Sequence, residues 1–163
     1  MNSLSIYLLY IMSKQDVDTK KIVGEGWVKI MVFGTFDGLH PGHINFFKQA
    51  KKLSKNSFLI VSIARDKNII KIKGKKSTLS ENERFYLVKQ NKFIDKVVLG
   101  GKIKYLPHIL KEKPDIIALG YDQKTYVPEL KKDLKNKGIL IKIIRLKPHK
   151  EKIYKNHLLK NKT

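Results

Sequence analysis

Five short runs of apolar, largely β-branched residues recur along the chain with segments of helical spacing between them, and this alternation narrows the possible folds more than any other feature. The runs are residues 28–33 (VKIMVF), 58–63 (FLIVSI), 96–99 (KVVL), 116–119 (IIAL) and 139–144 (ILIKII). The first is apolar apart from Lys29 and ends at Gly34, as a central strand buried on both faces would be. Helical patterns fill residues 41–53, 80–91, 105–113 and 128–137, the last stopped by Gly138. Strand alternating with helix implies right-handed crossovers and a parallel sheet covered on both faces. The expected fold is therefore α/β: a single Rossmann-like, doubly wound domain on a five-stranded, mainly parallel sheet. Ligands of such sheets bind beyond the carboxyl ends of the strands, so the loops after Phe33, Ile63, Leu99 and Leu119 are expected to line the site.

The 163 residues suffice for one domain with a real core, and 42% hydrophobic with 30% charged residues is a globular composition. A formal charge of +21 attracts polyanions over long range, yet no nucleic-acid recognition motif accompanies it, so a general lysine-rich background is the expected meaning. With no cysteine, disulfides, thiolate metal sites and thiol catalysis are excluded, which matches a reducing, cytoplasmic setting. The apolar stretch at residues 4–12 is about half of what a membrane span needs. Met12 and Met31 are alternative starts, and residues 1–27 read as an extension dispensable to the domain. Residues 28–146 form that domain, and residues 147–163 belong to a basic tail or a lid over phosphate.

Between the first strand and the first helix stands Gly34-Thr35-Phe36-Asp37-Gly38-Leu39-His40-Pro41-Gly42-His43. Gly34 lets backbone approach a ligand closely, and Pro41 suits a first helical turn. Amides left unpaired at that turn, with the positive end of the helix dipole, make a phosphate site. His40 and His43, three apart, can present donors to one polyphosphate, or one caps the helix while the other packs on the sheet.

This string resembles the signature of the HxGH nucleotidyltransferase superfamily, in particular its cytidylyltransferase-like group, which includes glycerol-3-phosphate cytidylyltransferases and archaeal-type FAD synthases. Ser62-Ile-Ala-Arg65-Asp66, Lys73-Gly-Lys75 ahead of Glu83-Arg84, and Gly120-Tyr121-Asp122-Gln123 extend the similarity across residues 28–146. The wording of residues 116–123 is most similar to the FAD synthases. The resemblance implies transfer of a nucleoside monophosphate from ATP or CTP to a phosphorylated acceptor with release of pyrophosphate. FMN is the favoured acceptor, and CTP with glycerol phosphate is the alternative. It also implies Mg2+ or another divalent cation with the triphosphate, no resident metal site, and a homodimer. A basic nucleic-acid-binding module on the same scaffold is the reading from a different class, and it has no use for two histidines at a helix end.

By the resemblance His40, His43, Lys73 and Arg84 are the catalytic candidates. Gly34, Thr35, Phe36, Asp37, Gly42, Lys75, Gly120, Asp122 and Gln123 join the two histidines as candidates for binding the nucleotide. Lys73 and Lys75, with Lys71 and Lys76, are read on a flexible Gly-containing loop, or as a solvated charge run. Arg84 follows a Ser80-Glu-Asn-Glu83 capping box and either faces phosphate or forms a surface ion pair with Glu81 or another neighbour. Asp37 contacts a ribose or satisfies local amides, and Asp122 meets the nucleoside or caps the next helix. Trp27 and Tyr121 either stack on a flavin or belong to the core. Relatives carry a Ser/Thr pair near the last helix. Here residues 153–157 have none, which leaves Asn156 and His157 for phosphate.

Overall fold

The computed structural model describes residues 26–149 except 103 and 125. Strand β1 (Val28–Gly34) pairs in parallel with β2 (Ser57–Ile63) along its whole length, from Val28 opposite Ser57 to Gly34 opposite Ile63. On its other side β1 meets β4 (Ile116–Leu119), and β3 (Lys96–Leu99) and β5 (Lys142–Arg145) form the edges, again in parallel. The order β3-β2-β1-β4-β5 makes the five-stranded sheet wholly parallel and doubly wound. Its direction of winding reverses between β1 and β4, where such folds open a binding crevice.

Period-two alternation divides the buried residues between two layers. Ile30 and Val32 of β1, with Leu59 and Val61 of β2, face Phe47 and Ala50 of α1 (Pro41–Lys51) and Val88 of α3 (Glu81–Lys89). Met31, Ile60, Ile117 and Leu119 point the other way, onto Leu106 and Ile109 of α4 (Tyr105–Glu112) and Leu130 and Leu134 of α5 (Val127–Asn136). The expected capping box is present: Ser80 caps α3 and Glu83 reaches back to the Ser80 amide at 2.8 Å.

Two expectations about elements are corrected. The lysine-bearing segment read as a flexible loop is in large part a helix, α2 (Asp66–Lys73), ended by Gly74 in the left-handed conformation at φ 68°. Only Ile69 of this helix is buried, so its apolar periodicity was too thin to read. The last strand begins at Lys142 rather than 139, because Gly138 (φ 63°) turns the chain out of α5. Ile139 and Ile141 then pack on the α4/α5 layer while Leu140 stands 99% exposed. The reading of residues 1–27 as an extension falls, save for its last two residues, outside the described part, as do residues 150–163 of the tail.

Candidate active site

The carboxyl end of β1 turns into α1 through a loop built on Phe36. That residue is 3% exposed and holds a left-handed backbone, φ 53°, a conformation costing about 1–3 kcal/mol unless its surroundings impose it. Its ring lies over Gly34, where an added Cβ would come within 2.5 Å of it. The Phe36 side chain by itself thus requires glycine at position 34. The same ring meets Phe47 at 5.1 Å and the edge of His43 at 5.2 Å between centroids, so Phe36 is a floor beneath the histidines.

His40 and His43 stack, with ring centroids 3.8 Å apart and planes 24° from parallel. His40 is the cap of α1: its Nδ1 accepts the Gly42 N–H at 3.1 Å, which assigns the proton of the neutral ring to Nε2. The His40 carbonyl takes the N–H groups of His43 and Ile44, so the turn's first amides, expected to bind phosphate, are engaged by His40. Burial, helped by repulsion from His40 and opposed by the Gly38 carbonyl, pushes His43 down to about 4. Its Nδ1 is buried without a partner in hydrogen-bonding geometry, so the contact with Gly38 is weak. His43 is therefore neutral over the physiological range, with a single ring N–H.

From the end of α2 the Lys73 ammonium donates to Thr35 Oγ1 at 3.2 Å, which places both beside the histidine loop. Lys75 follows Gly74 and is exposed. Asp37 holds a distant segment: its two carboxylate oxygens accept the Leu79 and Thr78 N–H groups, each at 2.8 Å.

Arg84 forms an ion pair with a neighbour, Asp66, but inside the protein and not at its surface. Its side chain is completely buried and donates to the carbonyls of Leu79 (3.1 Å), Thr35 (2.8 Å) and Ala64 (2.9 Å) and to Asp66 Oδ1 (2.6 Å). Burial would raise the Asp66 carboxyl, but the Glu81 amide and the Arg84 guanidinium hold it below its ordinary value. Glu81, the pairing partner considered for Arg84, instead accepts from Arg65 at 3.1 Å and from the Asp66 amide at 2.9 Å.

At the end of β4 the Gln123 amide is committed at both ends. Oε1 accepts the Gly120 N–H at 2.8 Å, and Nε2 donates to the Phe33 carbonyl at 2.7 Å, which ties the β4 loop to β1 at the switch point. Asp122 is exposed and does not cap α5, whose cap is Tyr126. Tyr121 is half-buried in the same loop. Trp27 is 46% exposed at the amino end of β1, across the sheet from the site, so a ligand at the strand ends is out of its reach. Asn156 and His157 lie outside the described residues.

Sequence reasoning missed Arg145, whose Nη1 donates to the carbonyls of Gly120 (2.7 Å) and Gln123 (2.8 Å). A signal for it existed: the chain has only three arginines among its 35 basic side chains. Each spans loop carbonyls at this end of the sheet, Arg65 through Gly100 O at 2.8 Å, a task for a fork of donors and not for an ammonium.

A doubly wound sheet with two stacked histidines at the start of its first helix, one of them the cap, and a lysine at the adjoining loop fits a nucleotidyltransferase, which positions phosphates and neutralises their charge. A family model described as cytidylyltransferase-like matches residues 31–157, and the chain belongs to that family. It is 38% identical over 122 residues to an FAD synthase of Aciduliprofundum boonei, covering 75% of this chain and 80% of that one. With FAD synthases of Korarchaeum cryptofilum and Methanothermus fervidus it shares 42% identity, covering 72% and 74% of this chain and 80% and 83% of theirs. Among solved structures it resembles the lipopolysaccharide core biosynthesis protein of Thermoplasma volcanium, with a TM-score of 0.68 and 38% identity, covering 75% of this chain and 98% of that one. No helix among the described residues is long and apolar enough to cross a membrane.

Proposed function

We propose that the chain is an FAD synthase, joining the adenylyl group of ATP to the phosphate of FMN. One observation carries the reading: a chain whose site is built on a stacked histidine pair aligns over about three quarters of its length with FAD synthases at 38–42% identity. An FMN phosphate oxygen attacks the α-phosphorus of ATP, the bond to the bridging oxygen breaks, and pyrophosphate leaves. Charge grows on the phosphoryl oxygens during this step, and fixed donors stabilise it without taking part in covalent chemistry.

In this reading His40 and neutral His43 donate N–H to those oxygens, and the Lys73 ammonium at Thr35 adds a cation. Arg84, Asp37 and Gln123 hold the loops rather than the ligand, because their polar atoms are engaged within the protein. Among the described residues no three His, Asp or Glu side chains converge as metal ligands. A divalent cation such as Mg2+ would then enter on the triphosphate, keeping phosphate and water oxygens as ligands and neutralising part of their charge. The same reading places the chain in the cytoplasm, as a homodimer to be checked by light scattering.

The test incubates purified protein and Mg2+ with ATP or CTP and either FMN or glycerol 3-phosphate, and identifies products by mass. FAD from ATP and FMN is expected, and CDP-glycerol without FAD would overturn the reading. His40→Ala and His43→Ala should each lower turnover by about two orders of magnitude, with melting temperatures showing a folded chain.

A further inference from the structure

The chain leaving β5 turns back along α1. The Gln49 amide meets the Lys147 peptide at both of its polar groups: Nε2 donates to the Lys147 carbonyl at 3.0 Å, and Oε1 accepts the Lys147 N–H at 3.1 Å. Nε2 also donates to Asn45 Oδ1 at 2.6 Å, which fixes the amide's orientation on the helix. An amide laid against an amide is a strand pairing reduced to one residue, and here it fastens two points 98 residues apart.

Between the returning segment and α1 lies a groove of about 480 Å3. Its apolar walls are Leu39, Pro41 and Ile44, and His40, Lys48 and His149 stand on it as basic groups with no carboxylate among its lining residues. Pro41, Ile44, Asn45 and Lys48 follow the spacing of a single stripe on α1. Side chains on a helix lean toward its amino end, so Lys48 leans toward His40. His149 reaches this groove through the path that Lys147 takes, and that path is set by Gln49.

We propose that Gln49 is a positioning residue that seats residues 147–149 along α1, and that Lys48 and His149 contact the polyphosphate of the nucleoside triphosphate in the groove beside His40. The inference rests on the nucleotidyl-transfer reading for the presence of a triphosphate, and it adds two contacts and the device that aligns one of them.

Inorganic tripolyphosphate, which carries neither base nor acceptor, is titrated calorimetrically into the full chain. Gln49→Met, Lys48→Met and His149→Gln should each weaken binding by about tenfold, the scale of one lost hydrogen bond to a charged group. The KM for the triphosphate should rise similarly while the KM for the acceptor stays within about twofold of the wild type. Gln49→Met combined with His149→Gln should bind no worse than the weaker single variant, because Gln49 acts through His149. If Gln49→Met fails to fold, Gln49→Glu serves in its place, since it lacks the donor to the Lys147 carbonyl. Unchanged tripolyphosphate affinity in the folded variants, or fully additive losses in the double variant, would overturn the inference. Weakened tripolyphosphate binding in a protein that makes no FAD would sustain the groove and sink only the choice of acceptor.

Discussion

The three arginines are the residues on which the site's shape depends most, and they differ in the kind of dependence. Arg84 is fully buried with donors on three carbonyls and a carboxylate, so an ammonium in its place would leave several of those acceptors unpaired in the interior. Arg84→Lys should cost about 2–4 kcal/mol in denaturant unfolding. Arg145 is exposed, so Arg145→Lys should leave stability within about 0.5 kcal/mol and raise the KM for the nucleoside triphosphate instead. Equal destabilisation by the two would refute this division. The His43 ring adds a pH signature. Its pKa is about 4 in the folded chain against the ordinary 6.5, so the unfolded chain binds the proton first on acidification. Its contribution is whole above pH 6.5 and falls as the pH drops toward 4, by on the order of 3 kcal/mol. A His43→Gln variant should lose that part of the acid destabilisation in melts taken across the same interval.

Elements were legible where one periodicity governed them and obscure where two signals overlapped. Residues 28–33 are apolar on both faces save for Lys29 because β1 is the central strand, flanked by β2 and β4, and that run could be read directly. Residues 139–144 are apolar save Lys142, yet Ile139 and Ile141 serve the packing of the α5 exit, Leu140 stands in water, and only the residues from Lys142 on join the sheet. Leu140→Asn should therefore change stability by less than about 0.5 kcal/mol, since the side chain touches water on almost every side. Gly34→Ala, in a strand where alanine is chemically harmless, should cost more than about 2 kcal/mol because its methyl meets the Phe36 ring. Urea titrations of the two variants check both, and a damaging Leu140→Asn would return that run to the sheet.

At the scale of the whole molecule, β1 begins its ladder at Val28 and both core layers are assembled from later residues, so a chain started at Lys21 should fold and keep its activity. Loss of soluble protein on that truncation would assign residues 1–20 a packing role. Fold class, winding and the position of the histidine loop were determined by sequence alone, because periodicity, Gly, Pro and the histidine spacing are local chemistry that each segment carries by itself. Which polar side chains remain for a ligand was decided only by the tertiary structure. Arg84, Asp37 and Gln123 look like ligand groups in a motif, but their partners Thr35, Thr78, Leu79 and Phe33 are 41 to 90 residues away. Hydrogen bonds between such distant segments exist only once the sheet has brought the strand ends together, and no local pattern records them.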